Sequence, residues 1–226
     1  MDYSFLTKTL LFQGMEEADV KDMLGCLNAR EKNYSKGEVI FRMGDSAACM
    51  GMVLSGRISI ENDDLWGRHS VLDSVEPGMV FAETYACLPG EPMMVSAAAA
   101  EASRILFLDA GRMENVCPRA CACHSLLIRN LLRLLAHKNL SLSRRMLHTS
   151  SKSIRGRLLS YLSFQASMQG RRDFTIPFNR QQLADYLGVD RSAMSAELGK
   201  MQREGLLVTR RNHFHLIQKG EDFHEL

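Results

Sequence analysis

Long apolar runs are absent from this sequence of 226 residues. No stretch of about 18 or more apolar residues occurs, so we expect no membrane-spanning helix. The first residues lack the basic segment and apolar run of a secretory signal peptide, which predicts a cytoplasmic protein. Cysteine is scarce as well, and six thiols in a chain of this length exclude a disulfide scaffold and fit a reducing compartment. They are Cys26, Cys49, Cys87, Cys117, Cys121 and Cys123.

Signatures of common catalytic sites are missing too. The sequence contains no Gly-x-Ser-x-Gly motif, no Walker loop and no dinucleotide fingerprint. A metal oxygenase built on a β-barrel would need about three His or Glu ligands on its strands. The strand-rich region described below contains a single histidine, His69. We therefore expect that the chain is not an enzyme.

Acidic residues are unevenly distributed. None occurs between Glu114 and Asp173, a segment that contains eleven Lys or Arg residues. Residues 151–226 hold 12 basic and 8 acidic residues, whereas residues 1–150 hold 16 and 18. A basic C-terminal half indicates a polyanionic partner for that half, although a solvated helix face is the simpler alternative.

The periodicity changes along the N-terminal half. Residues 4–27 place apolar side chains at helical spacing, which predicts one or two short helices. From residue 33 to about residue 110, short β-branched and apolar runs alternate with turn signals, which is typical of a β-sandwich or barrel. The predicted strands are residues 38–41, 50–54, 57–61, 69–72 and 104–108.

A long helix with a heptad repeat is predicted next. Its apolar seam has spacings of 4, 3, 4, 3 and 4, as in a two-helix coiled coil, and consists of Ile128, Leu132, Leu135, Asn139, Leu142 and Met146. The polar Asn139 would fix the register of a dimer, whereas packing of this seam on the protein's own β-region is the alternative. A second stripe, Leu127, Leu131 and Leu134, is expected to face the β-region. Residues 150–153 break the pattern and are the candidate hinge before another helix at 154–168.

Residues 179–201 have the pattern of two short helices joined by a tight turn. Asn179 and Gln182 form a capping box, Gly188 supplies the turn and Asp190 caps the second helix. On that helix the inward-facing residues are Met194, Leu198 and Met201. The outward-facing residues are Arg191, Ser192, Ser195, Ala196 and Lys200. Small and basic residues at the start of the second helix suit insertion into a DNA major groove.

A hairpin is predicted behind these helices. Residues 207–208 and 214–216 would pair around a basic turn formed by Arg210, Arg211 and Asn212, in the position of a wing that contacts phosphate. An ordinary helical hairpin is the alternative for residues 183–188 alone. The caps, the spacing, the wing and the local charge agree, and together they favour binding of double-stranded DNA.

These residues resemble the Crp/Fnr family of transcription regulators along nearly the whole chain. The similarity is strongest at residues 180–184, 188–192, 198–201 and 205–207. It implies an α+β protein with a double-stranded β-helix (jelly-roll) sensor domain like a cyclic-nucleotide-binding domain at residues 1–114. It further implies a dimerisation helix at residues 115–149 and a winged helix-turn-helix at residues 150–226.

The resemblance also implies roles for individual residues. Arg180 and Gln181 would contact phosphate, and Arg191, Ser192 and Ser195 would contact bases. From their charge and position, and not from the resemblance, we expect Lys200, Arg210 and Arg211 to add phosphate contacts. We expect a homodimer on a palindromic operator, with RNA polymerase as a further candidate partner and no membrane contact. Known family members have Glu where this chain has Ser192 and Arg where it has Ala196, so a different operator is expected.

The sensor region departs from the cyclic-nucleotide pattern. Ala82 replaces the second glycine of the phosphate-binding cassette, although Glu83 is retained. The Arg-Ser/Thr-Ala triplet of the family aligns with Met93, Met94 and Val95, so the cation that a buried cyclic phosphate needs is missing. The adenine-capping Thr aligns with Leu142, which Ser143 follows. We therefore expect no cAMP binding.

A different small-molecule effector is the favoured interpretation of this domain, and a ligand-free roll in a constitutive regulator is the alternative. The predicted effector pocket consists of Phe81, Glu83, Thr84, Tyr85, Met93, Met94, Val95 and Ser143.

A cysteine cluster offers a second possible sensor. Cys117, Cys121, Cys123 and His124 lie within eight residues, where thiolates near Arg119 would react with oxidants or bind a soft metal. Their spacing matches no common zinc motif, and the N-terminal cysteines of the iron–sulfur branch of the family are absent. Simple packing is the favoured interpretation, so we expect no resident metal, and a redox- or metal-responsive regulator is the alternative.

Overall fold

The computed structural model describes residues 1–63, 66, 69–114 and 122–217. The chain divides into two compact units, Met1–His137 and Lys138–Leu226, and each is described separately. The division falls inside a single long helix. The sensor, dimerisation and DNA-binding boundaries given above therefore stay a prediction, because they divide the chain by function and not by compactness.

The helices of the first unit flank its strands. Two short helices near the N-terminus confirm the helical spacing of residues 4–27. The helices are α1 (Tyr3–Thr7), α2 (Glu17–Cys26), α3 (Glu83–Ala86), α4 (Gly111–Glu114) and α5 (Ala122–Thr149), the last of which continues into the second unit. Among the described residues, no helix combines the length and the apolar character needed to cross a membrane.

The strands of the first unit form two four-stranded antiparallel sheets. They are β1 (Arg30–Tyr34), β2 (Val39–Phe41), β3 (Cys49–Ser55), β4 (Ile58–Asp63), β5 (His69–Val75), β6 (Val80–Phe81), β7 (Ser96–Ala99) and β8 (Ser103–Asp109). One sheet has the order β1-β8-β3-β6 and the other β2-β7-β4-β5. All five predicted strands are present, and the predicted jelly-roll architecture is confirmed.

The sheet that contains β3 and β8 is covered on both faces. Because side chains alternate along a strand, Val53 and Ile105 point towards Ile58 and Val75 of the other sheet. On the opposite face, the neighbouring apolar residues pack against the helices α1, α2 and α5; they are Met50, Met52, Leu106 and Leu108. This layer supports the long helix.

Three strands were not expected from the sequence, namely β1, β6 and β7, and β6 is only two residues long. β7 consists of one serine and three alanines, and alanine is depleted in strands. It pairs with β2 on one side and β4 on the other, and its three alanines are buried. β1 is an edge strand paired with β8, and four of its five residues are exposed, which hides the apolar signal.

The long helix α5 has two different faces. The stripe Leu127, Leu131 and Leu134 is buried in the core of the first unit, which confirms the expected inner face. Asn130 on the same side is also buried, and its Nδ2 donates to the carbonyl oxygens of Leu11 at 3.1 Å and Gln13 at 2.8 Å. These contacts fix the N-terminal half of α5 on its own sensor unit.

The predicted dimer seam lies on the other face. Ile128, Leu132, Leu142 and Met146 are 47–71% exposed in the single chain. Leu135 is half-buried against the core of the first unit. An apolar stripe of this length in contact with water is typical of an unpaired interface.

The second unit contains three further helices and a three-stranded sheet. The elements are α6 (Ile154–Gln169), β9 (Asp173–Thr175), α7 (Arg180–Leu187), α8 (Arg191–Arg203), β10 (Leu207–Arg210) and β11 (His213–Leu216). The sheet order is β10-β11-β9, with antiparallel pairs throughout. The predicted hairpin is thus present, with a two-residue turn at Arg211 and Asn212.

Candidate nucleic-acid interface

Local capping fixes the two helices of the motif. The Asn179 side chain accepts from the Gln182 backbone N–H, and the Gln182 side chain accepts from the Asn179 backbone N–H, both at 2.9 Å. α7 ends at Gly188, whose φ of 63° is left-handed. The Asp190 carboxylate then accepts from the Ala193 backbone N–H at 2.8 Å and so begins α8. The predicted helix-turn-helix is present with its predicted caps.

A shared apolar core holds the two helices together. Leu183, Ala184 and Leu187 of α7 are fully buried, and they lie in one cluster with the inner residues of α8, namely Met194, Leu198 and Met201. Ala184 is small where the two helices pack. Phe174 of β9 and Phe214 of β11 complete this cluster beneath the helices. The outer face of α8 is therefore presented on a rigid support.

The start of α8 is exposed. Arg191, Ser192, Ser195 and Ala196 face solvent, as predicted. The Ser192 hydroxyl donates to the Asp190 carboxylate at 2.5 Å. This hydrogen bond, together with that from the Ala193 backbone N–H, lowers the pKa of Asp190. Since its proton is engaged, Ser192 offers its hydroxyl oxygen to a partner mainly as an acceptor.

The acidic residue of the second helix is engaged in ion pairs. Glu197 accepts from the Arg155 guanidinium of α6 at 2.6 Å, and Arg155 also forms a forked pair with Glu204 at 2.7 and 2.9 Å. Lys200 lies 3.9 Å from Glu197 on the exposed side. Arg155 therefore ties α6 to both ends of the C-terminal half of α8 and neutralises Glu197.

A cleft of about 560 Å³ opens beside α8. Three guanidinium groups line it, those of Arg180, Arg191 and Arg211. The other lining residues are Pro177, Asn179, Gln181, Gln182 and Asn212, and no acidic side chain is among the residues that line it. Elements far apart in the sequence thus converge here: the first turn of α7, the first residue of α8 and the hairpin turn.

Arg180 is held more firmly than the sequence suggested. Its Nη2 donates to Thr209 Oγ1 at 2.8 Å, and its guanidinium carbon lies 5.2 Å from the centre of the Phe214 ring. Its Nη1 is buried and has no hydrogen-bond partner among the described residues. Burial lowers the pKa of Arg180, yet an arginine stays charged at neutral pH. A fixed cation that lines the cleft is well suited to an anionic ligand.

The hairpin turn is held against the strand that leads into α7. Asn212 Nδ2 donates to the Ile176 carbonyl oxygen at 3.1 Å, and the Ile176 backbone N–H donates to the Asn212 carbonyl oxygen at 2.9 Å. Arg211 has a φ of 56°, a left-handed value that such turns usually give to Gly, Asn or Asp. This backbone conformation presents Arg211 to the cleft.

Other predicted contact residues do not line the cleft. Arg210 pairs with His213 across the hairpin and is exposed, but the lining residues do not include it. Lys200, Ser192 and Ser195 lie along the exposed side of α8 outside the cleft. Asn179, Gln182 and Asn212 do line it, although the sequence marked them only as capping and turn residues. Their polar side chains next to basic ones were the available signal.

The residues of the predicted effector pocket differ in burial, and the pocket stays a prediction. Phe81, Glu83 and Met93 are buried, whereas Tyr85 and Val95 are half-buried and Thr84 is exposed. Met94 is 72% exposed, and its backbone N–H donates to the Tyr85 hydroxyl at 3.2 Å. Ser143 is exposed and belongs to the second unit.

Aromatic rings occupy the interior of the β-sandwich. The Phe81 ring lies 6.0 Å from that of Phe41, which lies 6.0 Å from that of Phe107. A Cβ atom at Gly51 would come within 2.4 Å of the Phe81 ring, so only glycine fits there. Phe81 is therefore a core residue that packs on the backbone of β3.

The cysteine cluster is only partly within the described residues. Cys117 and Cys121 lie outside them, whereas Cys123 is half-buried and His124 is buried. In the ranges that the structure describes, no group of three His, Cys, Asp or Glu side chains is arranged to hold a metal ion. The proposed redox or metal response stays a prediction.

Comparison with known proteins agrees with this arrangement. Residues 31–120 match the family model of the cyclic nucleotide-binding domain, and residues 156–221 match that of the Crp-like helix-turn-helix domain. The chain is 24% identical over 220 residues to electron transport regulator A of Shewanella oneidensis, covering 92% of this chain and 82% of that protein. It is 24% identical over 190 residues to the transcriptional regulator LdrP of Thermus thermophilus, covering 82% and 91%.

A solved structure shares the fold. The catabolite activator protein of Thermus thermophilus superimposes with a TM-score of 0.51 at 23% identity, covering 92% of this chain and 94% of that one.

The fold and the cleft define a transcription regulator with a winged helix-turn-helix and a domain of the cyclic-nucleotide-binding type. The chain belongs to the Crp/Fnr family of such regulators. Its domains and its relatives are those of regulators and not of enzymes.

Proposed function

We propose that this chain regulates transcription as a homodimer that reads a palindromic site in double-stranded DNA through α8. One observation carries the proposal: the exposed start of α8 adjoins a cleft lined by Arg180, Arg191 and Arg211 and by no acidic side chain. Phosphate oxygens are the natural ligands of guanidinium groups, and base edges are read by the N-terminal residues of a recognition helix.

The exposed residues divide into two roles. Arg180, Gln181 and Arg211 line the cleft and are assigned to phosphate, as are the exposed Lys200 and Arg210. Arg191, Ser192 and Ser195 are exposed on α8 and are assigned to base edges. An arginine reads guanine through its O6 and N7, whereas an acceptor such as the Ser192 hydroxyl suits an exocyclic amine.

Dimerisation is supported by the exposed seam of α5. Its apolar residues recur at heptad spacing, and Leu132, Leu142 and Met146 are each more than 60% exposed in the single chain. Pairing of two α5 helices would bury this stripe. A two-fold dimer would then present two copies of α8 to two half-sites about one DNA turn apart.

The salt dependence of DNA affinity tests this proposal. Duplexes selected from a random pool by the purified protein would be titrated by fluorescence anisotropy at several salt concentrations. Because the cleft neutralises phosphates, the DNA affinity should fall steeply as the salt concentration rises. The triple variant Arg180→Ala, Arg191→Ala, Arg211→Ala should bind DNA more weakly, and its affinity should depend less on salt. Arg203→Ala is the matched control, since Arg203 is exposed on the same helix outside the cleft. Equal affinity for every duplex and no salt effect would contradict the proposal.

A second proposal concerns the β-sandwich. We infer that it is not a cAMP receptor and that its interior is self-filled. The rings of Phe41, Phe81 and Phe107 support this inference, as does the methionine pair at the position of the family's phosphate-binding arginine. A ligand that prefers the native state raises the unfolding temperature by mass action. We expect no shift with millimolar cAMP, and a clear shift would contradict the inference.

A further inference from the structure

The carboxyl end of α7 is capped by side chains from outside the helix-turn-helix. A helix leaves its last four carbonyl groups without partners inside the helix. Here Arg145 donates from Nη2 to the Asp185 carbonyl oxygen and from Nε to that of Tyr186, both at 3.1 Å. Arg157 donates from Nη1 to the carbonyl oxygens of Leu187 at 2.9 Å and Gly188 at 3.0 Å. Two arginines thus bind four successive carbonyl groups.

The two arginines come from either side of the connection between α5 and α6. Arg145 lies in the last turns of α5, and Arg157 lies in the first turn of α6. Arg157 also donates from Nε to the Ser151 carbonyl oxygen at 2.8 Å, within the connection itself. A Cβ atom at Gly156 would lie 2.0 Å from Ser151 Oγ, which shows how closely the connection packs against the start of α6.

His148 reinforces the same junction. It is 1% exposed, and its Nδ1 lies 2.9 Å from the Tyr186 hydroxyl of α7. Its ring packs against those of Tyr161, Phe164 and Tyr186 at centre-to-centre distances of 5.1–5.8 Å. The end of α5 is therefore attached to the first helix of the motif by polar and aromatic contacts together.

We propose that Arg145 and Arg157 are positioning residues for DNA reading, which set the angle of the helix-turn-helix on the end of α5. This proposal goes beyond the assignment of contact residues and rests on the proposed function. A guanidinium group spans two carbonyl oxygens with fixed geometry, so each arginine fixes direction as well as distance. In a dimer joined along α5, that angle determines the separation of the two recognition helices. Residues 150–153, which the sequence predicts to be a hinge, are held by the Arg157 contact to Ser151 in this structure.

A measurement of selectivity for half-site spacing distinguishes a positioning role of the two arginines from a merely structural one. The test uses operators that have identical half-sites but spacers altered by one to three base pairs. Binding affinities for these operators would be compared between the wild type and the double variant Arg145→Ala, Arg157→Ala. Hydrogen bonds to charged groups are strong enough that we expect the preference for the best spacer to fall by about tenfold. Affinity for a single half-site should change little, because neither arginine lines the cleft.

Controls make the outcome unambiguous. Lys152→Ala removes an exposed cation from the same connection and should leave spacing selectivity intact. If circular dichroism shows that the double alanine variant does not fold, the variants Arg145→Lys and Arg157→Lys replace it. Lysine keeps the positive charge but cannot bind two carbonyl oxygens with the planar geometry of a guanidinium group. Unchanged spacing selectivity in a folded variant would overturn the proposal, and so would full selectivity in both lysine variants. Absence of any DNA binding by the wild type would instead overturn the proposed function.

Discussion

Arg191 and Arg211 present the same chemical group to one cleft but from different elements. Arg191 begins α8, where side chains reach base edges, whereas Arg211 lies in the hairpin turn. We predict that Arg191→Ala costs about 1–3 kcal/mol of binding free energy and relaxes one operator position, because a base contact is lost. Arg211→Ala should weaken binding to all DNA sequences equally. It should also reduce the slope of log affinity against log salt concentration by about one.

Binding measured against a panel of single-base operator variants would distinguish these two effects. Arg203→Ala, on the same helix as Arg191 but outside the cleft, should behave like wild type. An unchanged base preference in Arg191→Ala would refute its assignment to base reading.

Ala82 carries backbone strain. Its φ of 58° and ψ of 11° are left-handed, a conformation that costs a residue with a Cβ about 1–2 kcal/mol. The family has glycine at this position, where the strain would vanish. We predict that Ala82→Gly raises the free energy of unfolding by about 1 kcal/mol, as measured by urea denaturation. Ala99→Gly, on the buried strand β7, is the control and should be destabilising. Destabilisation by Ala82→Gly would show that the left-handed backbone is not strained.

At the residue scale, predictions succeeded where the partners are close in sequence. The Asn179–Gln182 capping box and the Asp190 cap each span three residues, so the sequence determines them locally. The burial of Arg180 could not be predicted, because its partners Thr209 and Phe214 lie about thirty residues away on the hairpin. The filling of the sandwich by Phe81 depends in the same way on Gly51 of another strand.

The α5 seam contains one polar residue, Asn139, which is exposed in the single chain. A buried asparagine pair at this position would fix the register and limit the assembly to two chains at some cost in stability. We predict that Asn139→Leu alters the assembly state or the preferred operator spacing, as measured by light scattering and DNA titration. His137→Leu, on the same helix outside the seam, is the matched control. An ordinary dimer with normal spacing in Asn139→Leu would count against the seam.

We expect the contact between α5 and α7 to respond to pH through His148. Burial, and next the charge of Arg144, lower the pKa of His148 below its ordinary value of 6.5. The folded chain therefore binds fewer protons than the unfolded chain, and stability rises with pH from the lowered pKa up to about 6.5. We predict that unfolding becomes easier as the pH falls below that value.

The variant His148→Phe should flatten this part of the pH dependence, as measured by thermal unfolding between pH 7.5 and about 5. His137→Phe, at an exposed position of the same helix, should keep it. An identical pH profile for wild type and His148→Phe would exclude His148 as the source.

Element prediction from the sequence was most reliable where periodicity was strong. The heptad of α5, the helix at Ile154–Gln169 and the hairpin of β10 and β11 were all expected and are present. β1, β6 and β7 were not, because a charged edge strand, a two-residue strand and a run of alanines lack the apolar alternation that indicates a strand. Their pairing with β8, β3, β2 and β4 is decided by long-range contacts.

At the scale of the whole molecule, the two units differ in fold and in charge. The first unit has aromatic rings in the core of its sandwich, and the second has the basic cleft. The absence of acidic residues between Glu114 and Asp173 was the clearest sign of this division in the sequence. Within that basic segment, Arg145 and Arg157 bind backbone carbonyl oxygens at the end of α7. The basic residues of the segment are therefore not all available to a polyanion.

Hydroxyl-radical footprinting on a selected duplex tests the central claim most directly. Two copies of α8 on a two-fold dimer predict a symmetric footprint, with two protected half-sites whose centres lie about 10–10.5 base pairs apart. Methylation of guanine N7 within each half-site should interfere with binding, because Arg191 is assigned to the major-groove edge. A single protected patch, or uniform protection without sequence preference, would contradict paired reading by α8.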